Sequence, residues 1–100
     1  MNVVVSGRHV EVTEAMKGYA EQKASKLHKY YDRIQEIEIV FESGKELLGC
    51  EIIVNAEHRG MFIARHEDRD AYACVDACVD KLERQLTDHK NKYRNRKHPE

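Results

Sequence analysis

Proline is almost missing from this chain: its single copy is Pro99, beside the C-terminus. Nothing in the body therefore breaks a helix or marks a linker. Long apolar runs are missing as well. No hydrophobic stretch follows Met1, and none elsewhere approaches the roughly 20 residues needed to cross a bilayer, so neither a signal peptide nor a membrane span is expected. Cysteine is sparse and odd in number, at Cys50, Cys74 and Cys78, with no framework spacing. That excludes a disulfide scaffold, and free thiols suit a reducing cytoplasm. There is no internal repeat, and 100 residues suffice for one small domain with a working core.

Charge is abundant, and its distribution says more than its sum. The formal net charge is −1. Yet from Met1 to His89 twelve Lys and Arg face seventeen Asp and Glu, whereas Lys90 to Lys97 holds five basic residues and no acid. An acidic body with a basic tail points to an anionic partner.

The apolar pattern resolves into six elements. Asn2 to Arg8 is short and β-branched, a strand with Gly7 near its close. Thr13 is placed to cap a first helix, whose stripe of Met16, Tyr19, Ala20, Leu27 and Tyr31 ends near Asp32. Ile34 to Glu42 alternates, with Ile37, Ile39 and Phe41 against Glu36, Glu38 and Glu42. After a loop at residues 43–46, Leu48 to Glu57 alternates again, with Cys50, Ile52, Val54 and Ala56 against Glu51, Asn55 and Glu57. His58-Arg59-Gly60 reads as a tight turn into a fourth strand, Met61 to His66. Asp68 or Asp70 then caps a long second helix. On that helix Tyr72, Val75, Val79, Leu82, Leu86 and Tyr93 form the buried stripe, on which Lys90 and Lys97 also fall. The expectation is an α+β domain of order β-α-β-β-β-α. It has a four-stranded sheet, the later three strands forming an antiparallel meander, and both helices on one face. The opposite face carries Glu36, Glu38, Glu42, Glu51 and Glu57.

On the helical side, Lys23, Lys26 and Lys29 flank the first apolar stripe and Arg33 follows it. Lys81, Arg84 and Lys92 face outward on the second helix, and Lys90 leads into the tail. If the helices lie side by side, the furrow between them is a positive track suited to phosphate backbones. A basic tail alone also fits an acidic protein partner, and that general docking module is the alternative. A membrane surface is disfavoured because the tail lacks an apolar face.

Catalytic chemistry finds no support. Cys74 and Cys78 share a helical face near which Cys50 and His66 might gather, but paired metal spacing is absent and buried thiols are expected. The six histidines are scattered and read as surface residues, His89 beside the tail included. Tyr30, Tyr31, Tyr72 and Tyr93 read as core or rim, and Asp76 and Asp80 as an exposed polar face. No cofactor, metal or small-molecule substrate is expected.

Three stretches then carry a specific resemblance: the opening NVVVSGRHVEVTEAM, the pattern K-x-x-K-L-x-x-Y-Y-D-R-I from Lys23 to Ile34, and DAYACVDACVDKLERQLTDHKNK from Asp70 to Lys92. Together they make the chain similar to short-form ribosome hibernation-promoting factors, the ribosome-associated translation inhibitor family. The resemblance implies a fold akin to a double-stranded-RNA-binding domain. It also implies binding to the small ribosomal subunit, through 16S-type rRNA, and to whole 70S-type ribosomes. There the family overlaps messenger and transfer RNA near the decoding centre and holds ribosomes inactive. By position, the RNA-facing basic residues of the family match Lys23, Lys26, Lys81, Arg84, Lys90 and Lys92; Asp88 stands where the family commonly has a base. The expected organisation is a ribosome-binding domain over 1–92 and a flexible basic tail over 93–100, with no second, dimer-forming domain and a free monomer.

Overall fold

The computed structural model describes residues 2–57 and 60–97, with side chains placed as far as Asn91. Its elements are β1 (Asn2–Arg8), α1 (Glu14–Ser25), a 3-10 turn (Lys26–Lys29), β2 (Ile34–Ser43), β3 (Leu48–Ala56), β4 (Gly60–Asp68) and α2 (Ala71–Lys97). The sheet order is β1-β2-β3-β4. β1 pairs parallel with β2, while β2, β3 and β4 form the expected antiparallel meander. A parallel neighbour cannot be reached by a tight turn, and α1 supplies the crossover.

The core follows the period-two pattern. Ile37, Ile39 and Phe41 of β2, with Cys50, Ile52 and Val54 of β3, pack in one cluster against Ala20, Ala24 and Leu27 and against Val75, Val79, Leu82 and Leu86. No charged residue is buried among those described. Burial of one face of the sheet by both helices is the main stabilising term, at about 25 cal/mol per Å² of apolar surface removed from water.

Local signals set the ends of the helices. The Thr13 side chain accepts from the Met16 amide at 3.1 Å, capping α1. Between the two aspartates before α2 the cap is Asp70, which accepts from the Tyr72 amide at 2.9 Å; Asp68 accepts from the Asp70 amide at 2.9 Å. Gly7 is required where the chain leaves β1, since a Cβ there would lie 2.5 Å from the Val10 carbonyl oxygen.

Three boundaries differ from expectation. The first helix is α-helical only to Ser25 and then tightens into the 3-10 turn, rather than running to Asp32. The tightening lets the Lys26 amide reach both Ala24 and Lys23 carbonyls and keeps Leu27 wholly buried. β4 runs on to Asp68, because its last residues pair with Leu48 and Gly49. Glu57 lies beyond the end of β3 rather than on the sheet face. Of the expected turn, His58 and Arg59 lie outside the described residues, and Gly60 opens β4 with φ of 80°.

Candidate nucleic-acid interface

The two helices run in the same direction. Tyr19 meets Tyr72 edge-on at 4.9 Å, Lys23 meets Asp76 at 3.5 Å, and Tyr31, just past the 3-10 turn, meets His89 at 5.5 Å. Positions rise together on both, so both helices finish at the same end of the domain. The helical layer therefore has a leading end and a trailing end of different character.

At the leading end the cations and acids are paired. Asp76 accepts from the Tyr19 hydroxyl at 2.6 Å and from Lys23 at 3.5 Å, so one carboxylate ties α1 to α2. Its hydrogen bond pushes the Tyr19 pKa up to about 12, with burial adding to the shift. Asp76 is thus a helix-to-helix anchor rather than a plain polar face, and Lys23 already has a partner. Glu83, seven residues on, falls on the same side of α2.

Lys81 does not line the furrow between the helices. Its ammonium donates to the Arg65 carbonyl at 2.6 Å, and Gln85 donates to the Ile63 carbonyl at 3.0 Å. Both groups cover the open edge of β4 on the flank of α2 away from α1, which protects an edge strand from stray pairing. The reason is angular: Lys81 is five positions from Asp76, about 140° around the helix at roughly 100° per residue. The expected continuous positive furrow is replaced by two separate flanks. Asp88, seven residues after Lys81, is exposed on the outer one.

At the trailing end the cations gather. Lys26 and Lys29 are exposed on the 3-10 turn, where a three-residue period places one above the other. Arg33 is exposed at the start of β2, and its carbonyl receives the Glu57 amide at 2.9 Å. Lys90 is exposed on the last described stretch of α2, and Arg84 is exposed one to two turns before it. Lys26 and Lys29 also suit the negative end of the α1 dipole. Lys90 is not on the core stripe, as the sequence suggested. His89 takes that seat: it is half-buried, with its ring 5.5 Å from Tyr31 and 5.3 Å from Phe62. Its spacing of seven from Leu82 and three from Leu86 is the signal that could have found it. The side chains of Lys92, Tyr93 and Lys97, and the tail beyond, lie outside the described residues, although the helix itself continues to Lys97.

The thiols are packing groups. Cys74 donates to the Leu48 carbonyl at 3.2 Å and Cys78 to the Cys50 carbonyl at 3.3 Å, joining α2 to β3. Burial pushes the Cys74 thiol up to about 11, and the hydrogen bond with Cys78 together with burial raises Cys50 as well. These two thiols stay protonated near neutrality, opposite to what a nucleophile needs. Among the described residues no three His, Cys, Asp or Glu are grouped to hold a metal, and no helix is long and apolar enough to cross a membrane.

Two parallel helices on one face of a mixed four-stranded sheet, with cations collected where both end, define a small α+β binding domain. The chain belongs to the Sigma 54 modulation protein / S30EA ribosomal protein family, whose sequence pattern matches residues 3–94. It is 35% identical to the ribosome hibernation promoting factor of Azotobacter vinelandii, over 92% of this chain and 85% of that protein. It is 36% identical to the factor of the same name from Escherichia coli K12, over 92% and 96%. The N-terminal domain of Thermus thermophilus Protein Y superposes with a TM-score of 0.79 at 32% identity, over 89% of this chain and 99% of that one. A ribosomal subunit interface protein from Coxiella burnetii superposes with a TM-score of 0.84 at 27% identity, over 91% and 99%. The expected β-α-β-β-β-α fold is the one these structures share.

Proposed function

We propose that this protein is a non-enzymatic, cytoplasmic factor that binds the small ribosomal subunit, occupies the decoding region where messenger and transfer RNA lie, and holds ribosomes inactive during hibernation. Its partners are 16S-type rRNA and whole 70S-type ribosomes, and it approaches them as a monomer. The observation that carries this reading is the gathering of Lys26, Lys29, Arg33 and Lys90 at the end where two parallel helices finish, on the layer opposite an acidic sheet. The names of the relatives, ribosome hibernation promoting factor and ribosomal subunit interface protein, support it.

The mechanism is occupancy. Phosphate contacts from the trailing end hold the domain in a channel of folded RNA, with little reading of bases. The half-buried aromatic cluster of Tyr31, Phe62 and His89 keeps the two basic segments at a fixed separation beneath that contact. Lys23, Lys81 and Arg84 add to the field from farther along the layer, the first two after giving up the contacts described above. Lys92 extends the same surface by sequence. Inhibition follows by exclusion, without bond making or breaking.

Sedimentation with purified subunits tests the reading. The protein is expected to co-migrate with small subunits and whole ribosomes, to be displaced by messenger and transfer RNA, and to bind less as salt rises. Each neutralised phosphate contributes roughly 0.7 to 0.9 to the slope of log affinity against log salt. Binding that is flat in salt, or untouched by those competitors, overturns it.

A further inference from the structure

The sheet face turned away from the helices has no partner within the described chain, and its register sets its side chains in cross-strand rows. One row runs Val4, Glu38, Ile53, Ile63, and the next runs Ser6, Val40, Glu51, Arg65. Val4 and Ile63 are 42% and 43% exposed, and Met61 in an adjoining row is 61% exposed. Arg65 reaches Glu51 at 3.7 Å, whereas Glu36, Glu38, Glu42 and Glu67 make no ion pair among the described residues. Beside Gly49, which contributes no side chain, a cleft of about 570 Å³ opens, lined by Glu42, Glu51 and Glu67 together with Arg8, Arg65 and His66.

Apolar groups with an acidic margin have the make-up of an interaction patch, and the sign of the charge selects what docks. On this face the acids Glu36, Glu38, Glu42, Glu51 and Glu67 outnumber Arg8 and Arg65, so phosphate backbones and anionic lipid are repelled from it. Glu36 and Glu38 repeat the two-residue step of β2, roughly 6.6 Å, which is the interval at which an extended chain presents alternate side chains. We propose that this face docks an extended, lysine- or arginine-rich segment of another protein. Its cations lie over Glu36, Glu38 and Glu42 and at the cleft beside Gly49, and the aliphatic stems of those side chains cover Val4, Ile53 and Ile63. The helical layer is on the far side of the sheet, so one molecule can hold RNA and a basic polypeptide together.

The test uses the free full-length protein and a soluble dodecapeptide in which lysine alternates with valine, followed by ¹H–¹⁵N NMR. Amide shifts are expected along the Val4–Ile63 row and around Gly49. Affinity is expected to fall at least tenfold in a Glu38→Lys/Glu42→Lys variant. It should fall severalfold in Gly49→Val, which fills the cleft and leaves every charge in place. A Cβ at Gly49 meets only ordinary contacts, 3.6 Å to the Glu42 oxygen and 4.0 Å to Glu67, so that variant is expected to fold and its dispersed spectrum checks this. Several results overturn the proposal: no binding, equal binding of a glutamate–valine control peptide, or shifts confined to Asp80 and Glu83 on α2. So does an RNA dodecamer of uridines that shifts this face. Concentration-dependent self-association abolished by Glu38→Lys assigns the face to a second copy instead, and overturns it too. Co-sedimentation with ribosomal subunits reads the ribosome-binding proposal separately.

Discussion

The leading and trailing ends of the helical layer are built from the same residue types and behave in opposite ways. At the leading end Lys23 meets Asp76, which also accepts from Tyr19, so positive charge is spent on holding α1 to α2. At the trailing end the tie between helices is made by rings, with Tyr31 and His89 5.5 Å apart, and Lys26, Lys29, Arg33 and Lys90 remain exposed above it. Where packing does the joining, the cations make no ion pair among the described residues. A lysine on a helix surface is therefore informative only once its neighbours are known.

The largest expected effect comes from the trailing end. Lys26→Glu, Lys29→Glu and Lys90→Glu together are expected to lower affinity for small subunits by about a thousandfold at moderate salt. The salt slope should fall by about one per residue, read by filter binding at several ionic strengths. A similar loss from Lys23→Gln alone would erase the distinction between the ends.

Asp76→Ala should act on stability rather than on binding. Losing a carboxylate that holds both a hydroxyl and an ammonium is expected to cost about 1–3 kcal/mol in chemical unfolding, with subunit binding changed less than threefold. The same variant sharpens the pH behaviour. Tyr19 has a raised folded pKa of about 12, so its contribution to stability is complete below the ordinary tyrosine value near 10 and is lost as pH rises through 12. Absorbance titration near 295 nm should show one late tyrosine in the parent and its return toward 10 in Asp76→Ala.

Thr13→Ala removes the cap of the leading end and is expected to cost about 1 kcal/mol by thermal unfolding, with no effect on binding. Lys81→Gln should be the mildest change, within about twofold in binding. It frees the Arg65 carbonyl, and slightly faster amide exchange along β4 is the signature to measure.

Much of the fold was legible because burial imposes a period. The alternation of Ile37, Ile39 and Phe41, and of Cys50, Ile52, Val54 and Ala56, located two strands and their inner face. Thr13 and the Asp68–Asp70 pair located two helix starts. The site was less legible. Charge alone points to Lys26, Lys29, Arg33 and Lys90, but Lys81 turns to the edge of β4 instead of into a shared furrow. His89, which reads as a surface residue, packs against Tyr31 and Phe62. Helical spacing shows which residues share a face. It does not show which neighbour that face meets.

By itself, the sequence determined the element order, the buried stripes and the segregation of acid onto the open sheet, because each follows from local periodicity and from the cost of burying charge. Tertiary structure decided the rest. Placing β1 parallel beside β2 forces a crossover, the crossover makes α1 run parallel to α2, and parallel helices bring their basic ends together. That convergence joins residues nearly sixty positions apart, as Tyr31 and His89 are, and no local pattern carries it.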